Sequence, residues 1–290
     1  MYFLTQQSAT MADTATSNII ELEGISKHFG NVTALNDIDF ALEEGEIHAL
    51  AGDNGSGKST LIKTIVGLHQ PSSGTITIRG EPTQISSPKH ARHLGIATVY
   101  QDLALVDTMT VAANVFLGRI PTKRYLGVLP KVEWKSMNER SQEILESRLD
   151  LDIDLATEVE FLSGGERQAV AIARTLVTDP DVVILDEPTA ALSTDSSQRV
   201  QELIRTLNDE GITILVISHS IDEIFGLADR TTVLHNSDIV GTVTTDDVVK
   251  DNVVEMIVSG EMPRRYRDDA ASDAVDQGSI QIDDDQEAQV

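Results

Sequence analysis

The chain has 290 residues, 40% of them apolar, which is enough to bury a large core, and no run approaches the ~18–20 apolar residues of a bilayer span. Asp and Glu number 47 against 22 Lys and Arg, a formal net charge of −25. So acidic a surface argues against nucleic-acid binding, and the absence of cysteine excludes disulfides, thiolate metal sites and a cysteine nucleophile. The last stretch, 262–290, carries about −5 of the total, so the bias belongs to the whole surface. That is the balance expected of a salt-accumulating organism, where high ionic strength screens self-repulsion.

Residues 1–18 are polar and rich in Ser, Thr and Ala, without the basic start or apolar core of a signal peptide. They are expected to be disordered. From Ile19, IIELEGISKHF and TALNDIDFAL alternate apolar and polar residues and predict antiparallel strands. EIHALAG predicts a third strand running into a Gly-rich loop, and STLIKTIVGL a helix that stops at Gly67. A strand at 75–79, a short helix near 89–94 and a strand at 96–100 follow. From Thr110 to about Phe161 the strand signal disappears. VAANVFLG and WKSMNERSQEILESRLD predict helices, with RIPTKRYLGVLPKVE as a loop between them. Strands return at DVVILDE, TILVIS and RTTVLH, separated by helices, and DDVVKDNVVEMIVSG predicts a last helix. The alternation implies an α/β core with a mainly parallel sheet, an antiparallel β subdomain and a helical insertion at about 102–165. Residues 261–290 predict an acidic disordered tail.

Gly52-Asp53-Asn54-Gly55-Ser56-Gly57-Lys58-Ser59 fits the pattern G-x-x-x-x-G-K-[ST] between a strand and a helix. Triphosphate oxygens need many donors converging on a small concavity. Glycines let backbone N–H groups turn inward, and the helix start at Lys58-Ser59-Thr60 adds free N–H groups. Lys58 supplies a cation for the β- and γ-phosphates, and Ser59 a hydroxyl for Mg²⁺. VVILDEP ends an apolar strand in two acids: Asp186 suits a role in holding Mg²⁺, and Glu187 one in polarising an attacking water.

Leu162-Ser163-Gly164-Gly165-Glu166-Arg167-Gln168 then resembles the signature motif of ABC-type ATPases, about twenty residues before Leu185-Asp186-Glu187. The resemblance runs from about Ile19 to Gly260, with five motifs in order. It implies a P-loop (RecA-like) ABC ATPase fold over 19–260. Ser163, Gly164 and Gly165 would meet the γ-phosphate of an ATP held by a second copy. Phe29 would stack on adenine, Gln101 would touch Mg²⁺ and water, and His219 would contact the γ-phosphate and orient Glu187. The departures are Ser193, where many members have Asp, and Glu166–Arg167 in place of a glutamine-rich signature.

SPKHARHLGIATVYQDLALVDTMTVAANVFLGR and ISHSIDEIFGLADRTTVL are similar to importers of monosaccharides such as glucose, in which two ATPase units often share one chain. With one unit here, the resemblance implies pairing with a second copy or a close homologue. It also implies multi-span permease subunits, an indirect solute-binding protein, no nucleic acid, and a peripheral place on the cytoplasmic face of the membrane. The competing readings are a soluble ABC ATPase acting on nucleic acid or ribosomes, and a transporter of another substrate.

Overall fold

The structure, a computed structural model, describes residues 17–125, 129–263 and 265–266. The expected N-terminal and C-terminal disordered segments lie almost entirely outside the described residues. β1 (Asn18–Phe29) is followed by β2 (Val32–Glu43) and β3 (Ile47–Gly52). After the Gly-rich loop come α1 (Lys58–Ile65), β4 (Ser73–Ile78), β5 (Glu81–Pro82), α2 (Pro88–His93) and β6 (Ile96–Val99). The insertion holds α3 (Val111–Val115), β7 (Thr122–Tyr125), β8 (Leu129–Val132) and α4 (Trp134–Gln142), which continues as a π-helical turn through Arg148. The second half is α5 (Gly164–Leu176), β9 (Val182–Asp186), α6 (Thr194–Asp209), β10 (Thr213–Ile217), α7 (Ile221–Leu227), β11 (Arg230–His235), β12 (Asp238–Thr244) and α8 (Lys250–Ser259).

The main sheet has the order β12-β11-β3-β10-β9-β6, parallel except for β12. Its central strands are apolar throughout because both faces are covered. Along β10, Ile214 and Val216 face one cluster and Leu215 and Ile217 the other; Val183 and Leu185 on β9 alternate likewise with Val182 and Ile184. The first cluster takes in the insertion helices and α5 to α8. The second takes in α1, α2 and the antiparallel sheet β2-β1-β4-β5. With no water on either face, polar groups of these strands must leave at the sheet's two ends. At the amino end, buried His48 bridges Glu46 (2.9 Å) and Thr232 (2.7 Å). Burial pushes the Glu46 carboxyl up, but His48 and Arg230 outweigh it and hold it below its ordinary value.

Two expectations fail. RIPTKRYLGVLPKVE is not a loop: Thr122–Tyr125 pairs antiparallel with Leu129–Val132 as a separate hairpin. Pro121 and Pro130 read as loop residues, yet a two-stranded ribbon has only edge strands, and these tolerate proline. β12 was also missed. Its turn, Asn236-Ser237, lacks the glycine that marks a tight hairpin, yet both residues take positive φ (48° and 76°).

Leu215→Ala, at a fully buried position of the central β10, should cost about 2–5 kcal/mol, checked by the shift in urea-unfolding midpoint.

Candidate functional site

The carboxyl ends of β3, β6, β9 and β10 lie in register at one edge, Ile217 opposite both Leu50 and Asp186, and Val99 opposite Leu185. That edge of an open parallel sheet is where ligands bind. The loop Gly52–Ser59 leaves β3 there. A Cβ on Gly52 would sit 2.4 Å from the Leu234 carbonyl oxygen, and one on Gly57 2.8 Å from that of Ala34, with φ of +148° and +117°. Only glycine fits either position. α1 starts from Gly57 with no side-chain cap, so its first N–H groups are left for an anion.

Lys58 is buried. Its Nζ donates to the carbonyls of Gly52 (2.7 Å) and Asp53 (2.9 Å), curling the cation under the loop. Burial pushes its pKa down, more than Glu187, Asp53 and Asp186 push it up. Asp53 also accepts the N–H of Asn54 and, at its carbonyl, that of Ser56. The Ser56 hydroxyl is buried without a partner.

β9 delivers the two acids. Burial is the largest cause raising the Asp186 pKa, with repulsion from Glu187 adding to it and Lys58 and Lys63 opposing. Glu187 ends the strand with φ +50°, its N–H held by the Ile217 carbonyl at 2.9 Å. Such a backbone is uncommon outside glycine and costs roughly 1 kcal/mol or more. Its carboxylate lies between two neighbours: Gln101 Nε2 donates to Oε2 at 3.0 Å, and His219 Nδ1 is 3.2 Å from Oε1. Asn54, Gly55, Gly57, Lys58, Ser59, Thr60, Gln101, Asp186 and Glu187 line one cavity of about 300 Å³. The Ser59 hydroxyl, the Asp186 carboxylate and the remaining carboxamide oxygen of Gln101 are hard oxygen donors suited to Mg²⁺. Among the described residues no group of three His, Cys, Asp or Glu could hold a metal. A cation here would therefore complete its shell with phosphate oxygens and water, as Mg²⁺ does at nucleotides.

Several expected residues lie outside this cavity. Gly52, Asp53 and Ser56 shape the loop without lining it, and His219 lines an adjoining cleft that shares Glu187. Phe29, 45% exposed, stands opposite Val32 of the cavity wall, edge-on to His69 at 5.0 Å, with the Lys27 ammonium 5.1 Å from its ring. Ser163, Gly164 and Gly165 begin α5 away from the cavity, with Ser163 and Gly164 exposed.

The departures in this region have local reasons. Glu166 closes a capping box with Ser163: its carboxylate accepts the Ser163 N–H at 2.8 Å, and Ser163 Oγ accepts the Glu166 N–H at 3.3 Å. Arg167 pairs with Asp107 of the insertion. Ser193 caps α6. The glycines also serve packing, since a Cβ on Gly164 would meet Leu192 at 2.8 Å and one on Gly165 would meet Ser196 at 3.3 Å.

Ser237 was missed. It lines the cavity from the β11–β12 turn, and its N–H donates to the Ser56 carbonyl at 3.0 Å. The Asn-Ser dipeptide after RTTVLH was its only signal.

Residues 35–190 match a family model described as ABC transporter. The chain is similar to a ribose import ATP-binding protein of Rhizobium meliloti, at 40% identity over 83% of this chain and 46% of that protein. It thus spans about half the length of the curated relatives it matches. Among solved structures, it is similar to a nucleotide-free ATP-binding cassette from an ABC transporter (TM-score 0.72, 28% identity, 83% of this chain and 95% of that one). It is also similar to a dimeric ATP-binding cassette in a post-hydrolysis state bound to ADP and Pi (TM-score 0.64, 26% identity, 78% and 98%).

Lys58→Ala should weaken ATP binding at least about tenfold, since it strips the one cation under the loop; titration calorimetry checks this, and unchanged affinity would sink the phosphate role of the loop.

Proposed function

The chain belongs to the ABC transporter family, and from that premise we propose that it is the ATP-hydrolysing subunit of an importer of monosaccharides. The carrying observation is the Glu187 carboxylate, held between Gln101 and His219 on the wall of the cavity that Lys58 and Ser59 also line. A regulatory subunit that only bound ATP would have no use for a carboxylate so placed.

In this reading ATP lies on the Gly52–Ser59 loop with its adenine toward Phe29. Lys58 exchanges the carbonyls of Gly52 and Asp53 for β- and γ-phosphate oxygens. Ser59, Asp186 and Gln101 would hold Mg²⁺, which would supply charge neutralisation for the triphosphate. Glu187 accepts the proton of the attacking water, and His219 fixes the carboxylate and reaches the γ-phosphate. The exposed Ser163–Gly165 turn supplies N–H groups to the ATP of a second copy, head to tail. The match to a dimeric cassette supports this arrangement. Two ATP molecules between two copies bias a closed state that hydrolysis releases. We read the chain's unit as 19–260, with the insertion at about 102–165 as the part that moves the permease.

A cleft of about 360 Å³ between α2, the start of the insertion and α5 supports that coupling role. Arg92, Arg119 and Arg174 line it, and none of the three has a carboxylate partner among the described residues. Burial first, then repulsion from Arg92 and Arg174, lowers the Arg119 pKa, and burial lowers that of Arg174. Concentrated positive charge on a chain of net −25 suits an acidic segment of the membrane partner. The substrate class rests on the relatives: the match is a ribose import protein, which supports a monosaccharide rather than glucose in particular. A peripheral position on the cytoplasmic face follows from the same reading.

Glu187→Gln should bind ATP with little change, persist as an ATP-bound pair in size measurements with Mg²⁺, and turn over roughly 10²–10³-fold more slowly. A variant that hydrolyses like the wild type overturns the reading. Arg119→Glu should reduce co-purification with the permease at least about fivefold, because truncating or inverting one partner of a desolvated charge pair costs about 2 kcal/mol or more.

A further inference from the structure

The steps above leave a buried carboxyl beside the site unused. Glu223, in the first turn of α7, is 3% exposed. Its Oε2 accepts from the Ser218 hydroxyl at 2.5 Å, and Ser218 Oγ accepts the N–H of Ser220 at 2.9 Å. Ser218 and Ser220 flank His219, so this relay spans the turn that presents the imidazole. The Glu223 N–H returns to Ser220 Oγ at 3.4 Å and closes the loop. Oε1 is buried with no hydrogen-bond partner. Thr189, in the turn that follows Glu187, lines the same cleft. Glu187, Thr189, Ser218, His219 and Glu223 line one cleft of about 450 Å³.

The geometry points to Glu223 as a positioning residue: through Ser218 it fixes the turn that carries His219 beside Glu187. The inference rests on the hydrolytic reading of that pair. A half-satisfied buried carboxyl costs stability, and α7 does not need it for attachment, because Ile224 and Leu227 already sit in the core. What it supplies is a fixed turn for His219, whose ring must hold a 3.2 Å contact with Glu187. Burial raises the Glu223 pKa most, Glu187 adds to it, and Ser218, Thr189 and His219 oppose.

The test uses the full chain with Glu223→Ala and Glu223→Gln. The alanine variant should lose at least about fivefold in kcat with KM for ATP within about twofold, because the Gly52–Ser59 loop does not touch Glu223. Glutamine can still accept from Ser218, and should restore most of the loss. In a His219→Ala background, Glu223→Ala should cost nothing further. Independently of turnover, the His219 ring signals in proton NMR, assigned by their disappearance in His219→Ala, should move in Glu223→Ala and return in Glu223→Gln. Unmoved ring signals, or a full extra loss of kcat in the His219→Ala background, overturn the positioning role. A wild-type chain without ATP turnover would instead overturn the hydrolytic reading, while the ring signals still decide the role of Glu223. Should the alanine variant fail to fold, Ser218→Ala cuts the same link from the other end and should give the same signal shift.

Discussion

Burial of the central strands on both faces is the constraint from which the rest follows. β3, β9 and β10 are sealed between two apolar clusters, so a polar side chain can leave them only at an end. Parallel register then brings the carboxyl ends of separate segments to one line. Gly52, Asp186, Glu187, Gln101 and His219 meet there although they come from four strands. The amino end carries the opposite solution: His48 bridges Glu46 and Thr232, so these groups satisfy one another in place.

At the working edge, the groups that would meet phosphate already have internal partners. Lys58 is bonded to the carbonyls of Gly52 and Asp53, and Glu187 to Gln101 and His219. A triphosphate must therefore exchange hydrogen bonds rather than simply add them, and its net gain is smaller than its contact list suggests. The backbone that crowds Gly52 and Gly57 leaves no room for a side chain at either position.

Much of this was legible in the sequence because the chemistry is written in contiguous runs. The Gly52–Ser59 loop, Asp186–Glu187 and the turn at Ser163–Gly165 each lie within a few residues, and apolar runs marked every parallel strand of the main sheet. What escaped was whatever depends on meeting a distant segment or on a permissive context. The β7–β8 hairpin reads as loop because its prolines are excluded only from interior strands. Ser237 and Glu223 carry no motif: one acts through a backbone N–H, the other through Ser218, a serine at the end of a strand with no pattern to mark it. The departure at Glu166 is accounted for by its capping box, whereas Phe29 is an exposed ring edge-on to His69.

The contact between Ser237 and the Ser56 carbonyl carries a consequence for how the molecule comes into being. The phosphate loop is made early in synthesis, yet its supports, the Leu234 carbonyl above Gly52 and the Ser237 N–H, emerge almost a full domain later. A growing chain can display the whole G-x-x-x-x-G-K-S run and still lack the shape that grips an anion. Competence for nucleotide thus arrives with the last β-hairpin, which makes this loop a late event in folding although it is an early one in translation.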